Sequence, residues 1–192
     1  MNLSVTALMT FLASTSRVVL LGGLAVIAHG LQRATKDADA WLDPLQDEKS
    51  WSDRVIRIMG ADRPLDLFRQ PHQLELGDFD AVWEAAKPLE NTGIRLPDEV
   101  DLLLTKEDTG REHDLADILF LQHKAEQRFA KVIRSCGYSD AVAIFDRFLT
   151  RQVAEAALEN SDEQISQLAL AHLQELAAAG DPYAQDLVAK RQ

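Results

Sequence analysis

LSVTALMTFLASTSRVVLLGGLAVIAHGL, residues 3 to 31, decides how the rest of the chain is read. It holds no acidic residue and one base, Arg17. As one continuous helix these 29 residues would extend about 43 Å at 1.5 Å per residue. A bilayer core is about 30 Å thick, so the length predicts a membrane-spanning helix, with Val5–Ile27 as a suitable window. That window places Arg17 near mid-bilayer, at a cost of roughly 2.5–3.5 kcal/mol that the surrounding Leu, Val, Ile and Phe offset. Two other readings stay open. Val18–Leu31 is a 14-residue apolar run of signal-peptide length, with Ala28-His29-Gly30 as a small-x-small cleavage site. Alternatively the stretch is a buried helix that needs a partner surface all round.

Within the stretch, Ser16, Gly23 and Gly30 recur every seven residues and would lie near one helix face bordered by Arg17. Small residues in register let helices approach closely in lipid, which predicts a membrane or oligomer face there. An intramembrane base such as Arg17 would face a partner or water. Arg33 and Lys36 follow the span, so basic-residue counting places the C-terminal side in the cytoplasm. Trp41 follows closely enough to act as an interfacial anchor.

Charge changes sharply after this point. Residues 1–36 carry three bases and no acid, leaving 31 acids against 17 bases in the remainder. Such an acidic surface repels phosphate backbones and disfavours nucleic-acid binding, while suiting a protein partner. The 46% hydrophobic content argues for a folded core. Cys136 is the single cysteine, which excludes an intramolecular disulfide and a Cys-based zinc site.

Between residues 37 and 110 the sequence reads as short helices and irregular linking segments. Asp43-Pro44 predicts a helix start running to about Met59, before Gly60. Leu65–Phe68 reads as a helical turn between Pro64 and Pro71. Asp78 is placed to cap a helix over about 79–87, and Pro97 opens another carrying Val100, Leu103 and Leu104. No segment shows clear strand alternation.

From 111 to 192 the helical period strengthens. Leu115, Ile118, Leu119, Phe129, Val132 and Ile133 mark a helix of about 112–135, and a second is expected over about 140–159. Ser161 with Gln164 matches a capping box for a third. Gly180 ends that helix and Asp181-Pro182 starts a last short one. Short loops imply antiparallel neighbours, a helical hairpin array. The ending AAAGDPYAQDLVAKR (177–191) resembles the helix junction of Sel1-type or tetratricopeptide repeats, which implies partner binding; no second copy recurs at a fixed period.

Chemistry-bearing residues concentrate at Arg111, Glu112, His113, Asp114 and Asp117, followed by His123 and Glu126. His113 and Asp117 are four apart and His123 and Glu126 three apart, so each pair shares a helix face. Imidazole with carboxylate can ligate a transition metal, which makes His113, Asp117, His123 and Glu126 the metal candidates. The plainer account is a helix start enriched in acids by its dipole, followed by a solvated face. His172 reads as a core histidine. Gly-x-Ser-x-Gly, His-Glu-x-x-His and Gly-x-x-x-x-Gly-Lys are absent, and Gly22-Gly23 precedes an apolar run rather than a phosphate-binding helix.

The sequence therefore predicts an all-α chain: a transmembrane helix at 1–36, short helices and linking segments at 37–110, and a helical array at 111–192. The expected role is a single-pass membrane-anchored, non-enzymatic protein-interaction or assembly subunit without a cofactor, self-associating or holding a protein partner. An oligomeric pore and a helical metalloenzyme using residues 112–126 are the alternatives.

Overall fold

Ser14, Thr15 and Ser16 interrupt the apolar N-terminal stretch, and the four residues after Arg17 form a strand rather than more helix. The computed structural model describes residues 3–43, 55–75, 78–107, 111–112 and 114–191. Helix α1 covers Val5–Ala13, strand β1 Val18–Leu21 and helix α2 Gly22–Ala28. Every side chain of β1 is buried. β1 lies inside a six-stranded mixed sheet, between β2 (Ala38–Leu42) and β6 (Ile94–Leu96). A strand covered on both faces reads as a continuous apolar run, which is the composition that a membrane span also requires.

The expectation of a transmembrane helix is thereby corrected. Among the described residues no helix is long and apolar enough to cross a membrane, and the single-pass anchor and the localisation built on it fall with it. The all-α expectation is corrected too. β3 (Val55–Met59) and β4 (Pro64–Phe68) occupy positions read as helical, and β5 (Lys87–Pro88) completes the order β3-β4-β2-β1-β6-β5. β1 pairs antiparallel with β2 and parallel with β6, and β2 pairs parallel with β4. β3 is antiparallel to β4, with Arg57 opposite Asp66. Residues 44–54, where the Asp43-Pro44 helix was expected to begin, lie outside the described residues.

Helices α3 (Phe79–Ala85) and α4 (Glu99–Leu104) complete the sheet-containing part. Asp98 caps α4 by accepting from the amides of Val100 and Asp101. Arg17 is explained by packing and pairing. Its guanidinium bonds Asp43 and Asp80, each at 2.7 Å, and lies 5.0 Å from the Phe79 ring centroid. Trp41 is not an interfacial anchor: it is buried in β2, donates its indole N–H to Arg69 O at 2.9 Å and meets Phe79 edge to face.

The chain divides into two compact units, Met1–Gln122 and His123–Gln192. Helix α5 (Asp114–Ile133) contributes to both. The second unit adds α6 (Tyr138–Arg147), α7 (Arg151–Ala157), α8 (Glu163–Ala178) and α9 (Pro182–Ala189). The helix expected over 140–159 is thus broken at Phe148–Thr150, where Thr150 caps α7 through the Val153 amide. Asp162, rather than Ser161, caps α8. Asn160 is buried and donates to the carbonyls of Ile133 and Cys136, tying the turn before α8 to the end of α5.

Candidate functional site

The β1–α2 turn is closely packed and holds a left-handed glycine. Gly22 has φ +58°, a left-handed conformation that L side chains rarely adopt. A Cβ at Gly22 would run into the carboxylate of Asp39, so the glycine gives that carboxylate its place. A Cβ at Gly23 would lie 2.6 Å from Thr35 Oγ1 and 2.9 Å from Arg33 Nη2. Strand, glycine pair and helix therefore form one packed junction, with the segment 33–39 laid against it. Gly22-Gly23 opens the short apolar helix α2.

Carboxylates gather beside this turn. Asp37 lies in the bend just before β2, and Asp39 is the second residue of that strand, on the sheet face beside the Gly22 turn. Asp66 of β4 stands directly opposite Asp39 in the parallel ladder, on that face. Asp37 accepts from the Thr35 hydroxyl at 3.2 Å, and Arg57 engages both oxygens of Asp66 at 2.6 Å. The Asp39 side chain has no hydrogen bond or ion pair among the described residues, while its backbone lies between β1 and β4. Burial, reinforced by Asp37 and Asp66, raises its carboxyl from 3.8 to about 6; Lys106 and Arg111 pull the other way.

A buried ion-pair network backs the junction. Arg33 Nη2 donates to Asp117 Oδ2 at 2.6 Å, and Lys106 Nζ lies 2.8 Å from Asp117 and 2.9 Å from Asp114. Lys106, Asp114 and Asp117 are each almost wholly buried. Asp117 Oδ1 and Arg33 Nε are shielded from solvent and lack a hydrogen-bond partner. Arg33 follows α2, Lys106 follows α4, and the two aspartates sit in the first turn of α5, so three elements are joined by charge.

The residues singled out from sequence are distributed differently. Asp117 is an ion-pair partner inside the first unit. His123 and Glu126 belong to the second unit, where the His123 ring contacts Gln127 Nε2 at 2.8 Å. His113 lies outside the described residues. Among the described residues, which leave out His113, no group of three or more His, Cys, Asp or Glu side chains is disposed to hold a metal ion. Ser16 precedes β1, Gly23 lies in α2 and Gly30 follows α2 at φ +112°. The oligomer face drawn through them required a continuous helix that the chain does not form. His172, read as a core residue, is partly buried, with Nδ1 3.9 Å from the exposed Glu175 carboxylate.

Sequence reasoning missed Asp37, Asp39, Asp66 and Lys106. A signal was present in TKDADAWL: two carboxylates two apart, separated by alanine and followed by Trp and Leu, is a strand with one acidic face. No protein-family model and no curated protein matches this chain.

Proposed function

We infer that the Met1–Gln122 unit binds a divalent cation at Asp37 and Asp39 and uses it for group transfer at phosphorus from a nucleoside triphosphate. The observation that carries this reading is the position of the Asp39 side chain, which has no hydrogen-bond or ion-pair partner among the described residues, is held against the Gly22 turn and is close enough to Asp37 for that carboxylate to raise it. Hard carboxylate oxygens suit Mg²⁺ or Mn²⁺. Mg²⁺ keeps part of its shell for water and substrate phosphates, so it is commonly held by one or two carboxylates rather than a complete protein cage. A bound cation offsets the repulsion among Asp37, Asp39 and Asp66 and orients a phosphate for in-line displacement.

Basic groups near the carboxylates support a phosphorylated ligand over a bare cation site. Arg33 reaches the start of α2, and Lys106 and Arg111 act electrostatically on Asp39.

Mn²⁺ binding is the direct test, followed by paramagnetic resonance of the free ion. The wild-type chain should bind Mn²⁺, and Asp37→Asn or Asp39→Asn should abolish it. Incubation with ATP labelled at the α or γ phosphorus, with candidate acceptors, then separates nucleotidyl from phosphoryl transfer. Mn²⁺ binding that survives both substitutions would sink the proposal.

A further inference from the structure

Among the described residues the sheet ends at β3 on one side and at β5 on the other, and only one of these edges is blunted. β5 is two residues long and reads Lys-Pro, a charge followed by a residue without an N–H. Short strands, lysine and proline are devices that keep a sheet edge from pairing further. β3 carries none of them: Val55–Met59 is five residues, VIRIM, in unbroken register with β4. Val55 and Met59 are exposed, and Ile56 and Ile58 are partly so.

The turn after β3 fixes which of its backbone groups are open. Gly60 N donates to Arg63 O at 3.0 Å, so these two residues are a hydrogen-bonded pair. Such pairs alternate along an antiparallel ladder, which turns the N–H and C=O groups of Ile58 and Ile56 to β4. Those of Met59, Arg57 and Val55 turn outward; Pro64, opposite Met59, has no N–H to give, in agreement. The strand is also close to a palindrome about Arg57. Pairing it antiparallel with itself sets Val55 against Met59 and Ile56 against Ile58, apolar on apolar. Outward groups then meet outward groups, three hydrogen-bonded pairs of two bonds each, about six in all. Arg57 is the one charge on the strand and meets its own copy in this register. Its Nε and Nη2 donate to Asp66 at 2.6 Å, so each guanidinium leans over its own β4 and arrives neutralised.

We propose that β3 is a self-association edge, where two copies of this chain join antiparallel about a two-fold axis at Arg57 and make one continuous sheet. A contact of this kind needs a surface complementary to itself, and both the backbone and the side chains of β3 meet that condition. Five residues a side are far fewer than the roughly 20–30 of a standard interface, so the dimer forms reversibly with concentration.

Sedimentation of the full chain from micromolar to millimolar concentration tests the assignment. Wild type should pass from one chain to two. V55K with M59K sets lysine against lysine across the axis and should abolish the dimer, as should V55E with M59E. Both positions are exposed, so each variant folds. Mixed in equal amounts, the two variants should recover a dimer, lysine against glutamate. In the wild-type dimer, amide exchange should slow at Val55, Arg57 and Met59 and stay unchanged at Ile56 and Ile58. A wild type that stays monomeric, a dimer that survives both charged variants, or a mixture that stays monomeric would each overturn the assignment.

Discussion

Asp39→Asn should stabilise the metal-free protein while abolishing cation binding. Burial and neighbouring carboxylates raise the Asp39 carboxyl to about 6, whereas an aspartate in an unfolded chain titrates near about 3.9. Between these values the folded state holds a proton that the unfolded state has released. Stability from this group is therefore greatest below about pH 4, falls as pH rises to about 6, and is level above that. At 1.36 kcal/mol per tenfold change in proton affinity, the ionised carboxylate costs the fold about 3 kcal/mol at neutral pH. Asparagine is near-isosteric and uncharged. Its amide needs an acceptor, so the net gain should be about 1–3 kcal/mol. Urea unfolding in EDTA, followed by tryptophan fluorescence, reads it out. Trp41 and Trp83 belong to the Met1–Gln122 unit. With a slope of about 1–3 kcal/mol per molar urea, the midpoint should rise by about 1 M at pH 7.5. The advantage should shrink at pH 4.5, where folded wild-type Asp39 is itself protonated. A lower midpoint for Asp39→Asn at pH 7.5, or an equal difference at both pH values, would refute the account.

Other substitutions probe the surroundings of Asp39. Gly22→Ala forces a Cβ into the Asp39 carboxylate at φ +58°, and should cost at least about 2 kcal/mol in thermal unfolding and weaken Mn²⁺ binding. Lys106→Met leaves Asp114 and Asp117 buried without that cation; a loss of about 3–5 kcal/mol is expected in urea unfolding. In the second unit, Asn160→Ala removes two hydrogen bonds to the Ile133 and Cys136 carbonyls. It should cost about 2–3 kcal/mol by far-ultraviolet dichroism and leave Mn²⁺ binding unchanged. Deleting residues 1–36 removes β1 from between β2 and β6, so the truncated chain should aggregate with exposed apolar strand edges, measurable by light scattering.

The sequence by itself determined most of the helical elements after residue 111. α5, α8 and α9 were legible because each shows its apolar period along one continuous segment, with a cap or a Pro at its start. Asp78 and Pro97 marked α3 and α4 for the same local reason, although the Asp78 side chain makes no capping bond and Asp98 is the cap of α4. Strand β1 was not legible as a strand. Buried on both faces, Val18–Leu21 shows no alternation, and an apolar run of that kind has one composition in lipid and in a sheet interior. Only the tertiary structure decided between those environments, by pairing β1 with β2 and β6. It also decided the candidate site. Asp39 and Asp66 are 27 positions apart in the chain, and Arg33 and Asp117 are 84 apart. Parallel pairing and a buried ion-pair network bring them together, and no local period in a sequence records which strands become neighbours.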